Sequence, residues 1–215
     1  ADIIANVFTL LLAGEDTTAN TLAWAIKFFI DLPEEFRRVR ADTDAILGAE
    51  RIPASHHDAG RLSLIEAFAN ETMRLKPVAP VVVAETKEAV DIAGIAVPRG
   101  IGVVLLNRRV ATSAQNFSDP KRFQMDRWVP KAHTDGCIHN PRAFLPFGGG
   151  PRFCPGRNLA LLEIKVVLAM FCRSFEVELV DPRREIDERF EFTMSPTNLL
   201  VRLKHRRMAH GQPEI

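Results

Sequence analysis

Phe147, Gly150, Arg152, Cys154 and Gly156 stand at fixed spacing within the run FGGGPRFCPG. The run sets one cysteine in a glycine-rich loop, two positions after an arginine and just before an amphipathic segment. Five fixed positions at about 5% each match a given start roughly three times in ten million, so the accidental rate over a whole chain is on the order of one in ten thousand. The thiolate, not the thiol, is the strong metal ligand, so Cys154 needs surroundings that favour the anion. Backbone N–H groups of a glycine-rich turn and the start of a following helix supply them. Gly148, Gly149 and Gly150 can take positive φ and let the backbone approach a flat ligand closely. Arg152 is placed to make charge-assisted hydrogen bonds with a carboxylate on such a ligand. A lone cysteine is more often a small buried hydrophobe; the loop around this one turns the reading toward metal ligation.

Two further constellations carry ionisable groups. Ala13-Gly14-Glu15-Asp16-Thr17-Thr18 interrupts an apolar helical pattern. Ala13 and Thr17 are four apart and share a helix face, so the Thr17 hydroxyl can bond back to the Ala13 carbonyl and distort the helix locally. Gly14 removes a side chain where a flat ligand could press. The plainer alternative is a helix break with Asp16 as a cap. Glu71 and Arg74, three apart on a helix, can touch, and an exposed pair of that kind is worth well under about 1 kcal/mol.

These groups need elements to hold them. Residues 2–30 read as one long helix, apolar on several faces and therefore expected to be buried. Leu32-Pro33-Glu34-Glu35 ends it and starts a second, to about Leu47 before Gly48. A polar loop over 49–60 leads to a third helix, Leu62 to Leu75, closed by Pro77. From Val78 to Leu106 the signals are those of strands, with valines at 81–83, a hairpin around Gly94 and a strand over 101–106. Residues 113–150 carry Pro120, Pro130, Pro141 and Pro146 with little periodicity, a long irregular stretch of a kind uncommon without a task. A last helix, Arg157 to Ser174, precedes short strands at 175–180, 190–194 and 199–203, and the tail from Lys204 is expected to fray. The fold class is mainly α with small β-sheets (α+β).

Composition narrows the classes. The chain has 215 residues, 47% of them hydrophobic, enough for a sizeable core, and a net charge of +1 that gives no case for nucleic-acid binding. Cys137, Cys154 and Cys172 are too few and scattered for a disulfide scaffold, which points to a reducing compartment, and to the cytoplasm where no anchor is in view. The histidines show no metal-ligand spacing, and His56 and His57 read as solvated. The apolar run from Ile3 to Ala13 meets Glu15 and Asp16 too soon to span a bilayer, and no basic region precedes it.

The loop resembles the haem-binding loop of the cytochrome P-450 family, Phe-x-x-Gly-x-Arg-x-Cys-x-Gly, and meets every fixed position. The resemblance covers essentially the whole chain, and whole members of the family are roughly twice this length. It therefore implies the carboxy-terminal half of one haem-thiolate domain over residues 1–215: the distal helix, the Glu-x-x-Arg helix and the haem loop of that fold. The absent half would hold much of the pocket, some haem contacts and any membrane anchor. The resemblance implies haem b with Cys154 as axial thiolate and metal ligand, and Phe147, Gly148, Gly150, Arg152, Gly156, Ala13 and Gly14 around the cofactor. It makes Thr17 the residue that supports oxygen activation and Asp16 its proton relay. It makes Glu71, Arg74 and Arg127 a buried ion network, in which loss of one partner would cost about 3–5 kcal/mol.

The activity so implied is insertion of one oxygen atom from dioxygen into a lipophilic substrate, with electrons from a ferredoxin or flavoprotein reductase. A haem-thiolate isomerase or dehydratase shares the fold, but often lacks the acid–alcohol pair present here as Asp16-Thr17. The 215 residues alone are expected to be inactive. Substrate contacts map to about 8–17, 78–83 and 193–197, although the valines could equally fill a sheet core. Lys131, Arg142 and Lys165 could face an acidic electron donor or simply be a solvated face. Two departures stand out. Many relatives place a basic residue where this chain has Val83-Ala84-Glu85, so propionate binding must lean on Arg152 and on groups in the absent half. Phe123-Gln124-Met125 lacks a proline common there.

Overall fold

The computed structural model describes residues 2–129 and 138–206, so Lys131 and Cys137 lie outside the described residues. Helix α1 spans Asp2–Asp31, and α2 follows over Pro33–Leu47. Pro33 sits in the first turn of α2 with Glu34 and Glu35, where a missing N–H costs nothing and acids suit the positive end of the helix. Gly48 at φ 56° ends α2 in a conformation that side-chain-bearing residues avoid. Helix α3 (His56–Arg61) occupies part of the expected polar loop. It was not anticipated because six residues give no readable period, yet Ser55 caps it by accepting from the Asp58 N–H at 3.2 Å. Helix α4 covers Ser63–Leu75, α5 Asn107–Ala111 and α6 Arg157–Ser174.

Helices α1, α2, α4 and α6 pack on one another around an aromatic centre. Phe29 lies 4.4 Å from Phe36 and 4.3 Å from Phe68 between ring centroids, both stacked, with Phe171 of α6 alongside. Such rings bury large areas and add about 0.5–1.5 kcal/mol per well-placed pair.

The strands form four antiparallel pairs among the described residues, arranged as one nested pattern used twice. Outer strands β1 (Val82–Glu85) and β4 (Gly102–Leu105) enclose the hairpin of β2 (Val90–Ile92) and β3 (Ile95–Val97). Outer strands β5 (Phe175–Leu179) and β8 (Val201–His205) enclose β6 (Glu188–Phe190) and β7 (Met194–Pro196). The inner hairpin replaces the single strand expected over 190–194, because the chain reverses at 191–193 between Phe190 and Met194. Lys204 does not fray, since it pairs with Glu176 in the β5–β8 ladder. The described residues of the long proline-bearing stretch, 113–129 and 138–149, stay irregular apart from short 3-10 turns at Met125–Trp128 and Pro141–Ala143 and a bridge between Phe117 and His139.

The expected burial of α1 holds only for its second half. Thr21, Trp24, Ala25 and Phe29 are buried, whereas Ile3, Ile4, Phe8, Leu10, Leu11 and Leu12 are all more than half exposed. Apolar residues on every face call for partners on every face, and this chain supplies them only beyond Asp16. Among the described residues, no helix is long and apolar enough to cross a membrane.

Candidate functional site

The cysteine loop closes on its own backbone. The Cys154 N–H donates to the Phe147 carbonyl at 3.0 Å, the Phe153 N–H to Gly150 at 3.1 Å, and the Arg157 N–H to the Cys154 carbonyl at 3.4 Å. Gly148 and Gly150 take φ of 72° and 62°, which bends the chain back on itself; Gly149, expected to share this role, is extended at φ −161°. Gly156 caps α6, and a side chain there would begin 3.8 Å from the Cys154 sulfur. Cys154 is half-buried, and Arg152 reaches solvent from the 3-10 turn Gly150–Arg152. The Arg157 guanidinium lies 6.0 Å from the Phe147 ring centroid.

Cys172 provides the contrast. It is fully buried on α6, and that burial pushes its thiol up to about 12, so it stays protonated and cannot serve as a thiolate. Among the described residues no group of three or more His, Cys, Asp or Glu could hold a metal ion. Cys154 thus offers a single ligand, a donor set that fits a metal carried in a macrocycle with its own equatorial nitrogens rather than a bare ion.

The charged cluster is built between α4 and the turn Met125–Trp128. Glu71 and Arg74 are both 0% exposed. Glu71 Oε1 accepts from Arg74 Nη2 at 2.7 Å, the Gln124 N–H at 2.8 Å and Arg127 Nε at 3.3 Å. Its Oε2 accepts from Arg74 Nε at 2.8 Å and Trp128 Nε1 at 2.9 Å. The arginines spend their other donors on carbonyls: Arg74 on Ala111, Pro120 and Arg122, Arg127 on Ser118 and Asp119. A segment with almost no regular structure is thereby fastened to α4 by its own backbone. Trp128 extends the link, packing on His139 and Phe144 at 4.9 and 4.6 Å, three residues before Phe147. The Trp128 and Gln124 contributions escaped sequence reasoning, although Trp128 directly follows Arg127.

On α1 the Thr17 hydroxyl donates to the Ala13 carbonyl at 2.7 Å, the back-bond its spacing suggests. Gly14 is exposed, with no atom within 4 Å of where a side chain would start. Asp16 does not cap a helix end, because α1 continues unbroken through it to Asp31. Its carboxylate instead accepts from Asn20 Nδ2 at 3.2 Å and from the Thr193 hydroxyl. Asn20, four positions along, had a readable spacing; Thr193 as a partner had none.

Two of the three segments singled out as substrate-contacting, 78–83 and 193–197, meet through backbone, and the third joins them through the Thr193 hydroxyl on Asp16. The Met194 N–H donates to the Val78 carbonyl at 2.9 Å, and the Met194 carbonyl accepts from Trp24 Nε1 at 3.0 Å. Glu188 adds charge, bridging Lys76 and Arg108, and the Arg108 hydrogen bond is the main reason its carboxyl falls to about 2. Val82, Val83 and Glu85 of β1 are exposed. Lys165 is not free for an acidic partner, since it is paired with Glu66, whereas Arg142 is exposed.

The family model for cytochrome P450 matches residues 1–203. Cytochrome P450 4V2 of Rattus norvegicus is 30% identical over 206 residues, covering 95% of this chain and 39% of the relative. The mitochondrial sterol 26-hydroxylase of Mus musculus is 33% identical over 182 residues, covering 82% and 33%. The crystal structure of the cytochrome P450DA heme domain superposes with a TM-score of 0.84 at 25% identity, over 96% of this chain and 46% of that one. The chain therefore spans less than half the length of these relatives, and it belongs to the cytochrome P450 family.

Proposed function

We propose that these residues are the carboxy-terminal half of a haem-thiolate monooxygenase acting on a lipophilic substrate. The observation that carries this is the Cys154 loop, closed by the Cys154 N–H to Phe147 bond and bent at Gly148 and Gly150, with a sulfur that is not sealed in the core. Haem b bound there supplies activation of dioxygen, using two electrons from a ferredoxin or flavoprotein reductase and leaving one oxygen atom in the substrate and the other in water.

The chain's own residues hold and orient. Cys154 offers its half-buried sulfur as the ligand, and the exposed Arg152 is placed to pair with a propionate. Because Thr17 gives its hydrogen to Ala13, its oxygen keeps lone pairs to accept a hydrogen bond from water on the Gly14 side. Asp16 is the group nearest in sequence that can pass a proton toward it. The exposed valines of β1 and the apolar start of α1 favour a lipophilic substrate. The same uncovered surface is why we expect the 215 residues alone to be inactive.

Dioxygen consumption by the whole protein, driven by NADPH and a flavoprotein reductase, tests the reaction class. It should require electrons and vanish in Cys154→Ser. A thiolate-ligated protein that consumes neither electrons nor dioxygen would instead belong with enzymes that rearrange peroxides.

A further inference from the structure

Thr193 stands in the turn between β6 and β7 and is only 6% exposed. Its hydroxyl donates to Asp16 Oδ2 and accepts from Asn20 Nδ2 at 2.8 Å, while Asn20 also donates to Asp16 Oδ1 at 3.2 Å. The three side chains close a ring between α1 and a hairpin 177 positions away. Thr193 cannot drift with Asp16. Its carbonyl accepts from the Glu191 N–H at 3.2 Å, and the next residue is tied to Val78 and to Trp24.

Helix geometry alone does not settle where the Asp16 carboxylate lies relative to Thr17, because adjacent residues do not face each other. A half-buried aspartate with no partner would sample several staggered rotamers. Here a donor from the hairpin and a donor one turn along the helix select one. We propose that Thr193, with Asn20, is a positioning residue that fixes Asp16 for proton delivery beside Thr17; this rests on the monooxygenase reading above. Losing one charge-assisted hydrogen bond lowers the ratio of the selected rotamer to its alternatives by about tenfold.

The test uses the whole haem-loaded protein with NADPH and a flavoprotein reductase, and no substrate. Dioxygen reduced with two electrons and two protons leaves as hydrogen peroxide, and with four of each as water; NADPH is the electron source for both. Proton delivery decides the branch. Thr193→Val removes the hydroxyl at nearly constant size and should raise the peroxide-to-water ratio several-fold, and Thr193→Ser should restore it. A double-mutant cycle of Asp16→Asn with Thr193→Val in denaturant unfolding should show non-additivity, independent of turnover. An unchanged peroxide ratio with an intact thiolate spectrum, or an additive cycle, overturns the assignment of Thr193 alone. Absence of a thiolate spectrum in the unsubstituted protein overturns the monooxygenase reading itself, and this assignment with it.

Discussion

Trp128 donates its indole N–H to Glu71 Oε2 at 2.9 Å, so an aromatic side chain that packs toward the cysteine loop also completes a buried carboxylate on α4. Five donors converge on Glu71. We read the network as architecture for the loop.

Glu71→Gln should therefore cost the fold about 3–5 kcal/mol, because it leaves two buried guanidinium groups without their counter-charge. Arg74→Lys should be nearly as harmful, since a point charge cannot reproduce the bidentate grip and the three carbonyl contacts. Denaturant unfolding of the whole protein measures both, and a loss under about 1 kcal/mol for Glu71→Gln would contradict the role.

The three loop glycines should behave differently. Alanine at Gly148 or Gly150 must hold a left-handed backbone at about 1–2 kcal/mol, whereas Gly149→Ala, extended and with nothing within 4 Å of the new carbon, should be close to neutral. Thermal unfolding and haem retention of the three variants check the order.

Acid should expose the Lys76–Glu188–Arg108 cluster. Glu188 falls from 4.5 to about 2 in the folded chain, so between those values the unfolded state binds more protons and stability drops as pH falls. The contribution is fully present above about pH 4.5 and gone below about pH 2. In Glu188→Gln that part of the acid dependence should disappear, so the melting-temperature gap to the unsubstituted protein narrows as pH is lowered through this window.

Thiol labelling separates the two described cysteines. Burial keeps Cys172 inaccessible and protonated, so native alkylation near pH 8 should spare it until the chain unfolds. Peptide mapping by mass spectrometry reads this directly, and rapid native labelling of Cys172 would refute the packing of α6.

Much of this was legible in the sequence, for identifiable reasons. Pro33 and Gly48 punctuate α2, and Gly94 with Ala93 at positive φ turns the β2–β3 hairpin. The motif around Cys154 is local, so its spacing survives in one dimension. The exposure of the start of α1 was misread because an apolar run reports what a helix needs, not whether this chain provides it. The hold of Thr193 on Asp16 was invisible, since a hydroxyl in a turn carries no trace of a partner 177 residues away. Lys165 looked free for the same reason; its pairing with Glu66 joins α6 to α4.

The central claim is that the Cys154 sulfur is the axial ligand of haem iron. The reduced, carbon monoxide-treated spectrum of the whole protein tests it most directly. A red-shifted Soret band that is present in the unsubstituted protein and lost in Cys154→Ser is the expected result. Retention of that band in Cys154→Ser would contradict it.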